Sequence, residues 1–172
     1  TGIQKRDDVK TFFYAFIYGA GDMKIGKIIN KNAKAGRQLK ENFLNNMPAL
    51  KELIENVKFQ VAKKGTVTLL DGREVPCRSA HKALNVQIQG DGAVLMKLAQ
   101  CILNRDLMNK FEGRFAFMAT VHDEWQIECD PSIAEQVGVM GKQAIADAGK
   151  RLGCLIDMDG DYRIGRNWAE CH

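Results

Sequence analysis

The sequence is poor in proline and contains no long apolar run. Three prolines among 172 residues, with no Gly/Ser tract, exclude a collagen-like chain and a largely disordered one. No segment approaches the roughly 18 consecutive apolar residues of a membrane span, so no membrane association is expected. The first residues show neither an initiator Met nor the apolar core of a signal peptide, and secretion is therefore not expected.

Cysteine is present but lacks an ordered pattern. The five cysteines are odd in number and form no CxxC pair, so they match neither a zinc site nor a disulfide framework. Reduced thiols in a cytosolic compartment are the simplest interpretation. With 45% hydrophobic and 27% charged residues, the composition is that of about one ordinary globular domain.

Positive charge is concentrated in the first quarter of the chain. Residues 1–42 hold nine basic residues against four acidic ones, whereas the remaining residues hold 16 basic and 17 acidic groups. An excess confined to one segment favours a phosphate-bearing partner such as a nucleic acid, although a solvated helix surface is the simpler explanation.

Hydrophobic periodicity predicts a mixed α/β (α+β) fold. Helices are expected from Asp7 to the glycines at 19–21, from an Asp22 cap to about residue 29, over 33–45, and from Pro48 onward. Two short strands around Asp71 and Gly72 then precede a helix over about 79–109, with a break near 90–92. Strands over 115–121 and 125–129, a helix from 131 to 152 and an edge strand over 156–164 complete the prediction.

Four residues of the first predicted helix suit nucleotide binding. They recur at intervals of four and are called the basic–aromatic stripe: Arg6, Lys10, Tyr14 and Tyr18. On a helix this spacing gives one slowly winding row about 18 Å long. Cations bond to phosphates, and aromatic rings stack on sugar and base. The alternative is that the cations are solvated and the tyrosines lie at the edge of the core.

Two acidic residues lie between the apolar strands of the second part. His122, Asp123 and Glu124, called the acidic tip, separate the strand ending at Val121 from the one beginning at Trp125. This turn has none of the Gly, Asn or Pro residues that tight hairpins prefer. Paired carboxylates beside a β core suit a hard cation such as Mg²⁺, and the alternative is a solvated surface turn.

Three polar residues at intervals of four lie on the long predicted helix. His81, Asn85 and Gln89, called the polar face, share one side of it. Short side chains that both donate and accept hydrogen bonds are able to reach base edges in a groove. An ordinary polar surface is an equally good interpretation of this spacing alone.

Together these patterns resemble the family A DNA polymerases, those like bacterial DNA polymerase I. The resemblance rests on three motifs in the family's order and at its separations, namely Arg6-x3-Lys10-x7-Tyr18-Gly19, Asn85-x3-Gln89-Gly90 and Val121-His122-Asp123-Glu124. They are similar to the nucleotide-binding fingers helix, the palm helix at the primer-template minor groove, and the metal-binding palm hairpin. Further segments resemble the phage T7-type branch, namely Lys10-Thr11-Phe12, Tyr18-Gly19-Ala20-Gly21-Asp22, Asp71-Gly72-Arg73 and Asn167-Trp168-Ala169-x-Cys171-His172.

The resemblance implies roles for the stripe in handling a dNTP. Arg6 and Lys10 would hold the triphosphate, and Lys10 would also act catalytically on the leaving pyrophosphate. Tyr14 would lie against the nucleotide sugar. Tyr18 would pack at the nascent base pair.

The resemblance also implies roles in the palm. The residues that would contact primer-template DNA are His81, Asn85, Gln89 and His122. His81 stands where many relatives carry Arg. Asp123 would bind one of two catalytic Mg²⁺ ions, and Glu124 belongs to the same catalytic motif.

The family also has parts that this chain is expected to lack. Its other metal-binding Asp lies in a strand before the fingers helix, and the chain begins too late to contain it. The chain would therefore be a helical fingers segment (1–70) and the C-terminal part of the palm (71–172). It would need an upstream polymerase segment carrying the thumb, the rest of the palm and, in some members, an exonuclease. It would act in the cytoplasm, that of the host if it is phage-encoded.

Two other functions are compatible with the sequence. A single-subunit RNA polymerase shares the Lys-x7-Tyr-Gly spacing, but its hairpin typically ends His-Asp-Ser, whereas this chain has Glu124. A non-catalytic nucleic-acid-binding module derived from a polymerase would keep DNA affinity without turnover. Mg²⁺-dependent primer extension distinguishes the enzyme from the binding module.

Overall fold

A computed structural model describes residues 6–171. The elements in chain order are α1 (Arg6–Ile17), α2 (Asp22–Ile28), α3 (Ala33–Asn45), α4 (Pro48–Lys64), β1 (Thr66–Thr68), β2 (Glu74–Pro76), α5 (Ala83–Phe111), β3 (Phe115–Val121), β4 (Glu124–Cys129), α6 (Ala134–Arg151) and α7 (Trp168–Cys171). Single 3₁₀ turns at Ala80–Lys82 and Pro131–Ile133 precede α5 and α6. The mixed α and β fold class predicted from the sequence is confirmed.

Contacts divide the described residues into two compact units, 6–89 and 90–171, with the boundary inside α5. The fingers and palm division near residue 70 stays a prediction, because it concerns function rather than compactness. Gly90 and Gly92 do not interrupt α5, so the expected break in this helix was wrong. Within residues 6–171, no helix is both long and apolar enough to cross a bilayer.

An aromatic cluster forms the core of residues 6–89. Phe12 is completely buried, and its ring meets that of Phe43 edge to face with the centroids 5.2 Å apart. Phe16 packs on Phe43 in the same manner at 5.1 Å. Further buried members of the cluster are Ala15, Ile25, Leu39, Ile54 and Leu84. Because Phe12 and Phe16 point inward, the opposite face of α1 is left to solvent.

Two glycines bring α2 and α3 into close contact. A Cβ atom on Gly36 would overlap the carbonyl oxygen of Asp22 and lie 2.5 Å from the backbone N of Gly26. The expected Asp22 cap was wrong, since Gly21 is the N-cap and Asp22 is already helical. The Asp22 carboxylate instead accepts a hydrogen bond from Lys40 of α3 at 2.7 Å, which adds an ion pair to the glycine contact.

The second unit packs β3 and β4 against α5 and α6. Its core is mostly aliphatic and draws on α5, α6 and the 3₁₀ turn before α6. The buried residues are Leu95, Ala99, Ile102, Leu103, Leu107, Phe111, Ile133, Val137, Ala144 and Ala148. Phe117 and Trp125 project from facing strands and pack edge to face at 6.5 Å.

The segment between α6 and α7 is not a strand, so the edge strand expected over 156–164 was wrong. Alternating apolar residues suggested it, but Ile156 and Ile164 are 74% and 54% exposed. Anchoring comes instead from Met158 and Tyr162, which occupy the space left by two glycines of α6, Gly149 and Gly138. Tyr162 also donates a hydrogen bond to Glu135, and this bond raises the pKa of the phenol.

Candidate functional site

The basic–aromatic stripe occupies the exposed face of α1. Arg6 and Lys10 are exposed, and Tyr14 and Tyr18 are 59% and 60% exposed. Tyr18 lies just after the helix, but its backbone N–H still donates to the carbonyl of Tyr14 at 2.9 Å. The row therefore keeps helical spacing from the cations through both rings. The exposed cations fit both interpretations of the stripe, and more than half of each tyrosine is accessible to a ligand.

The structure brings the end of the stripe against the polar face. Gln89 donates a hydrogen bond from Nε2 to the Tyr18 hydroxyl at 3.3 Å. The chain then turns at Gly19, which has a left-handed φ of +72° that favours glycine. A Cβ atom there would lie 2.8 Å from the carbonyl oxygen of His81. The fold thus places two groups of residues that are far apart in sequence next to each other.

Asn85 contributes an unused donor within that polar face. Its Nδ2 atom is buried and meets no acceptor among the described residues. A buried amide without a partner costs about 1–3 kcal/mol. An acceptor supplied by a ligand would remove that cost once the amide is uncovered.

The acidic tip is a two-residue hairpin turn. Val121 pairs with Glu124, so only His122 and Asp123 lie outside the antiparallel ladder. Glu124 was expected in the turn, but it is the first residue of β4. His122 has a φ of 54°, a left-handed conformation that two-residue turns demand and that glycine usually supplies. Residues held in such conformations cluster at functional sites.

Neighbouring strands and helices hold the tip in place, through contacts that the sequence reasoning missed. Gln126 lies two residues after Glu124 on the same face of β4, and its amide donates to the Glu124 carboxylate. On the other strand, Thr120 accepts a hydrogen bond from Gln100 of α5 at 3.2 Å. A period-2 pattern places Gln126 beside Glu124, so the first contact could have been found from the sequence.

The open end of the hairpin is closed by a charged clamp. Arg114 donates to the Asp130 carboxylate at 3.1 Å and to the Ser132 hydroxyl at 2.7 Å. The backbone N–H of Ser132 and its hydroxyl, together with Arg114, hold the pKa of Asp130 below its usual value. At the neighbouring position, burial raises the pKa of the Cys129 thiol, so this cysteine is not poised as a nucleophile.

A cleft of about 1400 Å³ opens beside the tip within residues 90–171. Both acids of the tip line it, and the segment after α6 adds basic residues that the sequence reasoning did not single out. The charged lining residues are Asp123, Glu124, Glu128, Lys142, Asp161, Arg163, Arg166 and Glu170. The cleft therefore places carboxylates and cations around one solvent-filled space.

The acidic tip is the place where a metal ion is expected, and it offers two carboxylates. No group of three or more His, Cys, Asp or Glu side chains within residues 6–171 is placed to hold a metal ion. Asp123 is exposed and Glu124 half-buried, and carboxylate oxygens are the donors that Mg²⁺ prefers. The tip fits a partial Mg²⁺ site, because this ion usually takes one or two carboxylates together with water and phosphate oxygens.

Comparisons with known proteins agree on one family. The model of DNA polymerase family A matches residues 2–170. The DNA-directed DNA polymerases of Enterobacteria phage T3 and Escherichia phage T7 are 36% and 37% identical to this chain and align with 97% of it. The chain spans 27% of the length of each phage relative.

A solved structure shows the same fold. It is the POL domain of Pol1 from M. smegmatis in complex with DNA primer-template and dNTP. The two superpose with a TM-score of 0.74 at 19% identity, over 83% of this chain and 27% of the other. The motifs, the fold and the match over almost the whole sequence lead to one conclusion. The chain belongs to DNA polymerase family A.

Proposed function

We propose that this chain supplies the fingers and the C-terminal palm of a template-directed DNA polymerase. The primer 3′-OH attacks the α-phosphate of a dNTP, which forms a phosphodiester bond and releases pyrophosphate. The observation that carries the proposal is the exposed face of α1, where two cations are followed by two rings that end against the polar face. The enzyme would act in the cytoplasm, which would be the host cytoplasm for a phage enzyme.

The stripe would bind the incoming dNTP along its length. Arg6 and Lys10 give charge-assisted hydrogen bonds to the triphosphate. Tyr14, one helical turn further, lies beside the sugar, and Tyr18 packs at the nascent base pair. Lys10 neutralises charge that develops on the leaving pyrophosphate and donates a proton to it.

The polar face and His122 would contact the primer-template minor groove. Asn85 and Gln89 carry amide donors that suit the acceptors of that groove, and the unpaired Nδ2 of Asn85 supports this assignment. His81 is exposed on its 3₁₀ turn and would contribute a further contact. His122 lies exposed at the hairpin tip, in a left-handed backbone conformation.

The acidic tip would supply part of a two-Mg²⁺ site. Asp123 is the proposed ligand, and Glu124, held by Gln126, is the second carboxylate of the motif. When bound, paired Mg²⁺ ions stabilise the attacking and leaving oxygens of the transferred phosphoryl group. As the resemblance implies, the other carboxylate ligand would come from an upstream segment with the thumb and the rest of the palm.

Primer extension tests the proposal. The 172-residue chain is assayed with a labelled primer-template, Mg²⁺ and dNTPs, alone and with an upstream polymerase segment from its own source or a phage relative. We expect no extension by the chain alone and extension by the combination, here called the complete polymerase. Robust extension by the chain alone would refute the need for a partner segment.

The same assay separates the two alternatives. Use of ribonucleotides in preference to dNTPs would identify an RNA polymerase. DNA binding with no extension by the combination, whichever nucleotide is added, would identify a non-catalytic binding module. DNA binding and extension are measured with the same labelled primer-template, so the two results are directly comparable.

A further inference from the structure

One hydrogen bond joins residues that the proposed function assigns to different tasks. Gln89, proposed to read the primer-template, donates to the hydroxyl of Tyr18, proposed to pack at the nascent base pair. The two residues are 71 positions apart, so the contact is a product of the fold rather than of local sequence. The residue after Tyr18 also lies close to the 3₁₀ turn before α5, since a Cβ atom on Gly19 would be 2.8 Å from the carbonyl oxygen of His81.

The Gln89 amide keeps hydrogen-bonding groups for DNA while it is bonded to the Tyr18 hydroxyl. A primary amide has two N–H donors and one carbonyl acceptor, and a phenol both donates and accepts. Tyr18 uses one donor of Gln89, which leaves the second N–H and the amide oxygen for a base edge. Both side chains are exposed, so a base pair is able to approach Gln89 without displacing Tyr18.

We propose that Gln89 couples inspection of the primer terminus to the position of the Tyr18 ring, an inference that rests on the proposed function. A matched terminal pair presents its minor-groove acceptor where Gln89 reaches it while still bonded to Tyr18. A mismatched pair shifts that acceptor and draws the amide away. Tyr18 then loses its anchor, and insertion of the next nucleotide slows. Gln89 acts in this scheme as a positioning residue for Tyr18.

The hydrogen bond itself is tested on the 172-residue chain by NMR. The side-chain amide signals of Gln89 are assigned by their loss in Gln89→Leu. Tyr18→Phe removes only the acceptor and should move these signals. Tyr14→Phe is the matched control, because Tyr14 is 59% exposed against 60% for Tyr18 and should leave them unchanged. Unmoved Gln89 signals in Tyr18→Phe would overturn the contact.

The coupling is tested in the complete polymerase by a double-mutant cycle. The measured quantity is the ratio of extension rates from matched and mismatched primer termini. Tyr18→Phe and Gln89→Leu should each lower this ratio about 2- to 10-fold, the range of one exposed hydrogen bond, and the loss should fall on matched extension. The double variant should be no worse than the more affected single variant, because both remove the same link.

Tyr162 provides a control for the loss of a tyrosine hydroxyl, and two results would contradict the inference. Tyr162→Phe removes another hydroxyl hydrogen bond, that to Glu135 in the second unit, and should leave the ratio unchanged. Effects of Tyr18→Phe and Gln89→Leu that simply multiply would overturn the coupling alone. Absence of extension by the unaltered complete polymerase would overturn the proposed function, and the coupling with it.

Discussion

The basic–aromatic stripe and the acidic tip are held in place by different means. The stripe lies on a 12-residue helix, and its spacing is set by the helical repeat. The tip exists only because β3 and β4 pair in one register and close through a left-handed residue at His122. A substitution in the stripe therefore removes a side-chain group and leaves the helix backbone unchanged. A substitution at the tip can alter the backbone conformation as well.

Because of this difference, substitutions in the two regions should affect catalysis and folding stability to different degrees. Stripe side chains are exposed and make few contacts, so their loss should alter nucleotide use and hardly alter unfolding. Tip residues combine both roles, so each test at the tip needs a measurement of folding beside the measurement of turnover.

Asp123→Ala should cause the largest loss. If Asp123 positions a metal ion used in the transition state, kcat of the complete polymerase should fall at least about 100-fold while DNA affinity changes little. Single-turnover extension and a DNA titration measure the two quantities, and urea unfolding checks the fold. Glu128→Ala, which removes an exposed carboxylate of β4, is the control. A kcat above about a tenth of the unaltered value, a loss under about 1.4 kcal/mol, would contradict the ligand role.

Lys10→Ala and Arg6→Ala should follow in size. Each should lower kcat/KM for dNTPs by about 2–4 kcal/mol if its charge is desolvated against phosphate. The urea midpoint should stay unchanged, since both side chains are exposed. Lys24→Ala, an exposed lysine on α2, is the matched control. Losses as small as those of Lys24→Ala would mean that the stripe is an ordinary solvated helix face.

Tyr14→Phe should alter selection of the nucleotide sugar. The Tyr14 hydroxyl meets no partner in residues 6–171, so it is free to replace the 3′-OH that a dideoxynucleotide lacks. The complete polymerase should thus accept dideoxynucleotides nearly as well as dNTPs. Removing the hydroxyl should restore discrimination by about one to three orders of magnitude in kcat/KM. An unchanged ratio of the two kcat/KM values would place Tyr14 outside the sugar pocket.

His122 should reveal the backbone requirement of the tip. His122→Gly should give a free energy of unfolding about 1–2 kcal/mol above that of His122→Val, because left-handed φ disfavours a β-branched residue. The same pair of substitutions at Thr120, which lies in the regular ladder, should rank in the opposite order. Urea unfolding measures both pairs. If the Gly and Val variants had the same order of unfolding free energy at His122 as at Thr120, the turn would not require a left-handed backbone at His122.

Asp130 should contribute a small, pH-dependent stability. Its pKa is lowered in the folded state, so the stabilisation is present above the unfolded value near 3.8 and is lost as pH falls through the folded value. At pH 6 the unaltered chain should unfold at slightly higher urea than Asp130→Asn, and the difference should shrink below about pH 4. Ser132→Ala should remove part of it. A difference that stays constant across this range would exclude the clamp as its source.

The sequence predicted best the features that depend on neighbouring residues. Helical spacing predicted that the stripe shares one face of α1, and β-rich segments on either side of a turn located both β-hairpins. Pro48 and Gly65 bound α4 as their chemistry requires, with Gly65 in a left-handed conformation at the C-terminus of the helix. In each case the physical cause lies within a few positions of its effect.

The sequence could not reveal features that depend on distant partners. The bond between Tyr18 and Gln89 requires the two helices to be placed first. The segment over 156–164 has strand-like alternation, but Met158 and Tyr162 find gaps on α6 that no local pattern shows. Likewise the sequence around Asp22 resembles a helix cap, but its carboxylate accepts a hydrogen bond from Lys40, which lies on another helix.

The close approach of α2 and α3 has a consequence for local unfolding. At seven residues, α2 is far shorter than the roughly 12–15 residues that an isolated helix needs in water. Its backbone contact with Gly36 and its ion pair to Lys40 therefore supply the stability that its own hydrogen bonds lack. The amide protons of α2 should therefore exchange with solvent only when α3 separates from it, and we expect the two helices to open and close as a single cooperative unit.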